Sequence, residues 1–479
     1  MPTRDPLHSS SLAAKGRPAG PAIIERLPIA ALRPNPRNAR THSKAQIRKI
    51  AASLRTFGFV TPIVVDETLT ILAGHGRLEA ARSEGLEQVP VVRLDHLTEA
   101  QKRAYVLADN KIAEQAGWDR EMLAIELGEL LTLLPEEGFD IGLTGFEAAE
   151  IDPLIADAAD TDPASEDVVP RPPATPVAIR GDLWLLGRHR LLCADARDPI
   201  AMEHVMGGER AACVFTDPPY NLRVRDIVGR GRTRHDEFAF ASGEMSQAGF
   251  RQFLAVTLGH AVEASRPGAT AFVCMDWRHI ADLIDVGRTI FGDMLNLCVW
   301  NKTSPGQGSF YRSQHELVAV FRVGEEPHQN NITLGRFGRN RSNVWTYPGV
   351  NSFGPGRLEA LAAHPTCKPV QLVVDALLDC TRRGDAVLDP FTGSGTTVMA
   401  AERIGRRAFA IEFEPRYIDV AITRWQNQTG LDATLAGDGR TFEEIAASRR
   451  LGPPAPATGW NEGERPGETA PEADGVEVG

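Results

Sequence analysis

The pattern of apolar and polar positions predicts two folded regions of different character. In the first, apolar residues between Ile47 and Phe57 recur at helical spacing, with a capping residue at Ser43 and a terminating Gly58. Short apolar runs predict strands at 60–65, 69–72 and 89–94, and further helices begin near Gly74, Thr98 and Trp118. Short strands mixed with helices predict a small α+β domain.

The second region has longer apolar runs that alternate with helical segments. Strands are predicted at 181–186, 189–193, 211–215, 269–275, 295–300, 315–323, 385–389 and 407–413, and helices at 199–206, 250–264 and 398–403. This alternation is typical of an α/β fold with a largely parallel sheet.

Composition supplies the boundaries between these regions. Segments rich in Ser, Pro, Gly or acidic residues are expected to be disordered or to act as linkers. The predicted organisation is a disordered tail at 1–21, a first domain at 22–112, a helical extension at 113–157, an acidic linker at 158–178, a second domain at 179–447 and a disordered acidic tail at 448–479.

Charge and cysteine content narrow the class of protein. The chain has 479 residues and a net charge of −11, so it is not a basic protein overall. It has no run of about 18 apolar residues and no apolar leader after Met1, so we expect neither a membrane span nor secretion. Six cysteines are scattered without a C-x-x-C pair, which fits a reducing cytoplasm and predicts no metal site.

The strongest chemical signal follows the strand at 211–215. Asp217-Pro218-Pro219-Tyr220 places a carboxylate, a rigid proline pair and an aromatic ring at the carboxyl end of a strand, where open α/β sheets bind ligands. The carboxylate and the Pro218 carbonyl are two acceptors, and beside a stacking ring they suit a planar group with an exocyclic amine. The alternative is an ordinary strand end with a turn.

A second signal follows the strand at 385–389. Asp389 precedes a loop with Gly393 and Gly395, where a ligand can approach the backbone closely and the next helix start favours an anion. Glu412 ends the following strand, 19 residues beyond Gly393, a spacing that suits ribose hydroxyls. A ligand with a ribose, an anionic end and a cationic end fits S-adenosylmethionine. The alternative for Glu412 is a solvated charge.

Together these motifs resemble a DNA amino-methyltransferase over residues 180–445, in the permuted order that places the Asp217 motif before the glycine loop. The resemblance implies a Rossmann-like S-adenosylmethionine-dependent sheet. It implies cofactor contacts from Asp195, Thr366, Lys368, Phe391 and Thr396, besides Asp389, Gly393, Gly395 and Glu412.

The resemblance also implies the reaction, which is methylation of adenine N6 within a specific duplex sequence. Tyr220 would stack on a flipped-out base, while Asp217 and the Pro218 carbonyl would accept hydrogen bonds from its amino group. Cytosine N4 is the alternative acceptor. An enzyme acting on protein glutamine or RNA, and a DNA-binding regulator with an inactive body, are competing interpretations. Relatives of this layout occur in bacterial and phage-derived genomes, so we expect a cytoplasmic protein on DNA.

Arginines cluster in two segments that are predicted to contact DNA. They are Arg223, Arg225, Arg230, Arg232 and Arg234 after the Asp217 motif, and Arg336, Arg339 and Arg341 within 325–362. The first group is expected to bind phosphates and the second to read base edges. Solvated loop charges are the alternative.

Residues 24–112 resemble the N-terminal domain of ParB-like proteins, and Gly74-His75-Gly76-Arg77 is the best marker. The resemblance implies that Gly74, His75 and Arg77 bind a nucleotide phosphate or DNA at a helix start. Partition proteins usually carry an acidic and a basic residue where this chain has His75 and Gly76, so a docking domain is the alternative. A homodimer is a further expectation.

Overall fold

The computed structural model describes residues 23–158, 166–222, 243–305, 310–332, 339–349 and 368–451. Contacts divide the chain into two compact units, Met1–Ala159 and Asp160–Gly479. Among the described residues, no helix combines the length and apolarity that crossing a membrane requires.

The first unit is a small sheet with helices around it. Its strands are β1 (Ile24–Pro28), β2 (Ile63–Asp66), β3 (Ile71–Ala73) and β4 (Gln88–Leu94), in the spatial order β1-β4-β2-β3. Its helices are α1 (Lys44–Phe57), α2 (His75–Ser83), α3 (Glu99–Gln115), α4 (Arg120–Glu136) and α5 (Ala148–Ala158). Fully buried Ile63, Val65 and Val91 form the centre of its core. The predicted α+β character is confirmed.

Helix starts in this unit follow the predicted capping chemistry. Thr98 and Gln101 form both halves of a capping box at α3, which satisfies two backbone donors at once. The Ser43 hydroxyl accepts from the Gln46 amide at α1. The Gln46 side chain bonds His42 instead of returning to the cap, so this box is half formed.

The second unit is built on one mixed sheet, of ten strands in the described residues. In chain order the strands are β5 (Leu183–Leu186), β6 (His189–Cys193), β7 (Ala211–Thr216), β8 (Ser265–Met275), β9 (Met294–Asn301), β10 (His315–Arg322), β11 (Val344–Thr346), β12 (Ala386–Asp389), β13 (Arg407–Glu412) and β14 (Thr434–Leu435). Their spatial order is β11-β9-β10-β8-β7-β12-β13-β6-β5-β14.

Helices cover this sheet. They are α6 (Pro199–Met206), α7 (Gln247–Glu263), α8 (Ile280–Ile290), α9 (Val370–Cys380), α10 (Thr396–Arg403), α11 (Pro415–Thr429) and α12 (Phe442–Leu451). Val214, Leu388 and Ile411 of the central strands are fully buried and belong to one apolar cluster with Leu254 and Leu258 of α7. Strands in this core are buried throughout, as expected of a parallel sheet covered by helices.

The central strands β8, β7, β12, β13 and β6 run parallel, so they end at one edge of the sheet. We call this the carboxyl edge. Because β10 is antiparallel to both β8 and β9, β10 begins at this edge and β9 ends there. Loops from seven strands therefore meet at one place, which is where α/β sheets present ligand sites.

Part of the predicted linker is packed against the second unit. Asp167 accepts a hydrogen bond from the first amide of α9, Val370 N, at 2.8 Å. Asp419 of α11 accepts from the amides of Val177 and Ala178 at 2.6 and 2.9 Å. The sequence predicted an acidic linker at 158–178, and within it residues 166–178 make specific contacts with the helices of this unit.

Candidate active site

The Asp217 carboxylate lies directly beyond β7 and both of its oxygens are engaged. Oδ1 accepts from the Tyr220 hydroxyl at 2.5 Å, and Oδ2 faces Lys368 Nζ at 2.5 Å. The Lys368 side chain is 4% exposed, whereas that of Asp217 is 27% exposed. An incoming group can therefore reach the carboxylate, while the lysine lies behind it.

A second carboxylate belongs to the same cluster. Glu316, the second residue of β10, places Oε2 3.1 Å from Lys368 Nζ and 3.3 Å from the Tyr220 hydroxyl. Its other oxygen accepts from Lys302, whose Nζ lies 4.8 Å from the centre of the Trp300 ring. The sequence does not single out Glu316 and Lys302, because no local motif marks them.

Burial and the two lysines set the protonation of these groups. Burial raises the pKa of Asp217, and the neighbouring Lys368 offsets this only in part. Burial also acts against the Glu316 charge, but Lys368 and Lys302 outweigh it and lower the pKa of Glu316 to about 2. Burial and both carboxylates raise the pKa of the Tyr220 hydroxyl. The cluster is therefore a buried, paired set of charges.

The glycine loop follows β12 at the neighbouring position on the carboxyl edge. Gly393 and Gly395 both have left-handed backbone, with φ of 55° and 84°. A Cβ on Gly395 would lie 2.7 Å from the Cβ of Ala421, so this glycine also lets α11 pack closely. The loop leads directly into α10, which begins at Thr396. Thr396 is buried, and its hydroxyl lies 3.4 Å from a guanidinium nitrogen of Arg424.

Two carboxylates flank this loop, of which Asp389 is buried and Glu412 is partly exposed. Asp389 accepts from the Phe391 amide at 3.1 Å and from the Thr397 hydroxyl at 2.6 Å. Glu412 accepts from the amides of Gly393 and Glu414 at 2.9 and 2.8 Å. Burial raises the pKa of Asp389 to about 6 and that of Glu412 to about 7. Both carboxylates favour a ligand that brings positive charge or hydroxyl donors.

The remaining predicted cofactor residues take different positions. Asp195 lies just beyond β6, and its carboxylate is held by a bidentate pair with Arg197. Phe391 is half-buried and packs on Phe253 of α7, with ring centres 5.8 Å apart. Thr366 lies outside the described residues.

Lys368 contacts other groups than the sequence predicted. The resemblance assigned it to the cofactor's carboxylate, which stays a prediction, and its Nζ contacts Asp217 and Glu316. The physical reason is the buried pair of carboxylates, which attracts the cation at the start of α9. Glu316 could not be foreseen because it comes from the distant strand β10.

Arg339 and Arg341 were predicted to read DNA, which stays a prediction, and the structure gives both of them internal partners. Arg339 Nη2 lies 2.7 Å from Asp379 and 3.2 Å from Asp375 of α9. Arg341 pairs with the same two carboxylates at 2.9 and 3.4 Å. Both arginines are largely buried and fasten residues 339–347 to α9. The other predicted DNA contacts, Arg223, Arg225, Arg230, Arg232, Arg234 and Arg336, lie outside the described residues.

Exposed aromatic rings lie near the carboxyl edge and were also missed. Trp277 follows β8 with 54% exposure, and Arg278 lies over its ring. Phe310 and Tyr311, between β9 and β10, are 87% and 82% exposed. Single exposed apolar residues are common on protein surfaces, so these rings are of interest because of their place at the carboxyl edge. Their signal in the sequence is weak, since burial depends on the fold.

In the first unit, the predicted phosphate site makes internal contacts. Arg77 donates to the carbonyls of Pro62 and Thr61 at 2.6 and 3.2 Å. His75 Nε2 accepts from the Asn35 amide, and burial lowers the pKa of His75. Gly74, with φ of 102°, begins α2. Nucleotide binding here stays a prediction.

Family models and known proteins match parts of this chain. Residues 211–423 match the DNA methylase family of the N6/N4 type, 15–111 the ParB N-terminal domain and 121–180 the ParB-methyltransferase HTH domain. Type II methyltransferase M2.DpnII of Streptococcus pneumoniae is 28% identical over 46% of this chain and 84% of its own. M.HinfI of Haemophilus influenzae is 27% identical over 44% of this chain and 62% of its own. The PvuII cytosine-N4-specific DNA methyltransferase structure is 17% identical, covering 59% and 96% of the two chains, with a TM-score of 0.40.

The second unit therefore belongs to the class of S-adenosylmethionine-dependent enzymes with a Rossmann-like sheet. More particularly, the chain carries a DNA methylase domain of the N6/N4 type, preceded by a ParB-like N-terminal domain. Both resemblances stated from the motifs are confirmed.

Proposed function

We propose that this protein methylates the N6 amino group of adenine in double-stranded DNA, on a base flipped out of the helix. The observation that carries the proposal is the pairing of β7 with β12 in parallel register. Adjacent strands lie about 4.8 Å apart, so the Asp217 cluster and the glycine loop are neighbours at one edge. A methyl group needs to cross only a short gap between two such sites.

The residues around the glycine loop fit S-adenosylmethionine. The ligand carries an amino group, a sulfonium and ribose hydroxyls, and Asp389 and Glu412 match cations and hydroxyl donors. Burial raises the pKa values of these two carboxylates to about 6 and about 7, and a cation or a hydroxyl donor beside them would favour their ionised forms. When bound, the cofactor supplies the methyl group. Asp389, Gly393, Gly395 and Glu412 would hold it, with Asp195, Phe391 and Thr396 nearby.

Asp217 provides the chemistry that the acceptor requires. The lone pair of an exocyclic amine is delocalised into the ring, so the nitrogen is a poor nucleophile. A hydrogen bond to a carboxylate orients the amine, and the negative charge stabilises the positive charge that develops on nitrogen. Tyr220 would stack on the base, with the rigid Pro218-Pro219 pair fixing both side chains.

The DNA surface is proposed to include the aromatic residues near the carboxyl edge. Flipping a base leaves a gap in the duplex and unstacks its neighbours, at a free-energy cost of a few kcal/mol. Exposed apolar rings such as Trp277, Phe310 and Tyr311 can insert between or stack on bases. Phosphate contacts from the arginines at 223–234 remain part of the proposal.

Nucleoside analysis tests this function. The full chain is incubated with methyl-labelled cofactor and duplex DNA, and the digested DNA is separated by chromatography. We expect label in N6-methyladenine. Label in N4-methylcytosine would support the alternative acceptor, whereas label in 5-methylcytosine or no incorporation would contradict an amino-methyltransferase.

A further inference from the structure

Both oxygens of Asp217 already accept a short hydrogen bond before any base arrives. The Tyr220 hydroxyl and Lys368 Nζ each lie 2.5 Å from one of its oxygens. An amino group that docks on Asp217 competes with these donors for the same two oxygens, and we expect at least one of the short contacts to lengthen. A displaced lysine charge needs another partner, because leaving a buried charge unpaired is strongly unfavourable.

Glu316 is placed to receive both displaced donors. Its Oε2 lies 3.1 Å from Lys368 Nζ and 3.3 Å from the Tyr220 hydroxyl. These distances are longer than those to Asp217, so a shift of less than about 1 Å exchanges the short contacts for the long ones. The other oxygen of Glu316 is held by Lys302, which fixes the carboxylate in this orientation.

We propose that Glu316 is a positioning residue that takes over Lys368 and the Tyr220 hydroxyl when the target amino group docks on Asp217. This inference rests on the proposed function and deepens it. In the absence of DNA, Lys368 and the Tyr220 hydroxyl donate to Asp217. In the complex with DNA, the same two groups donate to Glu316. The donors change acceptor and no proton or charge leaves the cluster.

Charge balance explains why a second carboxylate is needed. Asp217 and Glu316 carry two negative charges, and Lys302 and Lys368 carry two positive charges. The amine gains positive charge during methyl transfer, and a neutral surrounding cluster does not oppose this. Removing the Glu316 charge leaves a net positive charge beside the reacting nitrogen, and Lys368 then competes with the amine for Asp217.

The test compares Glu316→Gln with the matched control Glu325→Gln, which changes an exposed glutamate beyond the other end of β10. Single-turnover methyl transfer to duplex DNA is measured across pH, with cofactor affinity and unfolding temperature in parallel. We expect the plateau rate of Glu316→Gln to fall about 10- to 100-fold, as for loss of a hydrogen bond to a charged group. Cofactor affinity stays within about twofold of wild type, since Glu316 does not touch the glycine loop.

The pH profile separates this role from a structural one. The negative charge of Glu316 helps to raise the pKa of Asp217, so its removal shifts the acid limb of the rate profile to lower pH. The groups that face Asp217 are Tyr220, Lys368, Glu316, Cys274 of β8 and Asp389 of β12. All except Glu316 are unchanged in the variant.

A Glu316→Gln rate within about twofold of wild type would overturn the inference, as would a slower rate with an unshifted acid limb. If Glu316→Gln unfolds at assay temperature, Glu316→Asp is used to test the inference, because it keeps the negative charge. It should retain the position of the acid limb and lose less rate. Wild-type protein without any methyl transfer to DNA would contradict the proposed function itself.

Discussion

The two units contain loops with the same local signal and different surroundings. In each, a strand leads through a glycine with positive φ into a helix, at Gly74 before α2 and at Gly395 before α10. Around the first, Arg77 donates to carbonyls of its own chain. Near the second lie two carboxylates with raised pKa values, Asp389 and Glu412. The two glycine turns therefore differ in the charges around them, and we expect these charges to decide which ligand each turn binds.

The largest effect is expected at the strand beside the second loop. Asp217→Ala removes the acceptor of the amino group and should lower methyl transfer about a thousandfold, as for loss of a preorganised electrostatic group. Cofactor affinity should stay near wild type. Single-turnover rates and equilibrium dialysis measure the two quantities. Asp285→Ala, on an exposed face of α8, is the matched control and should keep the wild-type rate.

Arg339 tests whether a largely buried arginine stabilises the fold through its ion pairs. Arg339→Met leaves the Asp379 charge with one fewer cation and should lower the free energy of unfolding by roughly 3 kcal/mol. Chemical denaturation measures this change. The methylated sequence, read by sequencing treated DNA, should not change. If the variant methylates a different sequence and its stability is unchanged, Arg339 contacts DNA.

The second loop can be tested through its carboxylates. Glu412→Gln should weaken cofactor binding roughly 10-fold. In wild type, affinity should rise with pH between about 6 and about 7, because Asp389 and Glu412 ionise there and a cationic ligand prefers the ionised forms. Calorimetric titration across pH measures this, with exposed Glu443→Gln as control. A pH-independent affinity would argue against these carboxylates as cofactor contacts.

The smallest effect is expected at the first loop. Arg77→Met removes hydrogen bonds to two carbonyls and should lower the stability of its unit by about 1–2 kcal/mol. Cofactor affinity should not change. Loss of nucleotide or DNA binding at unchanged unfolding temperature would instead identify a phosphate site at this loop. Both glycine loops would then be ligand sites.

Local motifs predicted those site residues that lie at the end of one strand. Asp217, Asp389 and Glu412 each close a buried apolar run, so their place at the carboxyl edge follows from strand polarity. The hairpin of β5 and β6 and the α/β alternation were likewise predictable, because apolar periodicity reports local structure.

Other parts depend on pairings that no local pattern records. Glu316 reaches Asp217 only because β10 runs antiparallel to β8. In the sequence, Arg339 and Arg341 look like DNA-binding residues. In the fold, α9 places Asp375 and Asp379 beside them as ion-pair partners. A charged residue in a sequence carries no sign of whether its partner is another side chain or a ligand.

The most direct test that the Asp217 cluster and the glycine loop form one site is a crystal structure with S-adenosylmethionine bound. We expect the cofactor to lie along the glycine loop with its amino group and hydroxyls on Asp389 and Glu412, and its methyl group to point towards the Asp217 carboxylate. A cofactor bound away from the carboxyl edge, or with its methyl group turned from Asp217, would contradict it.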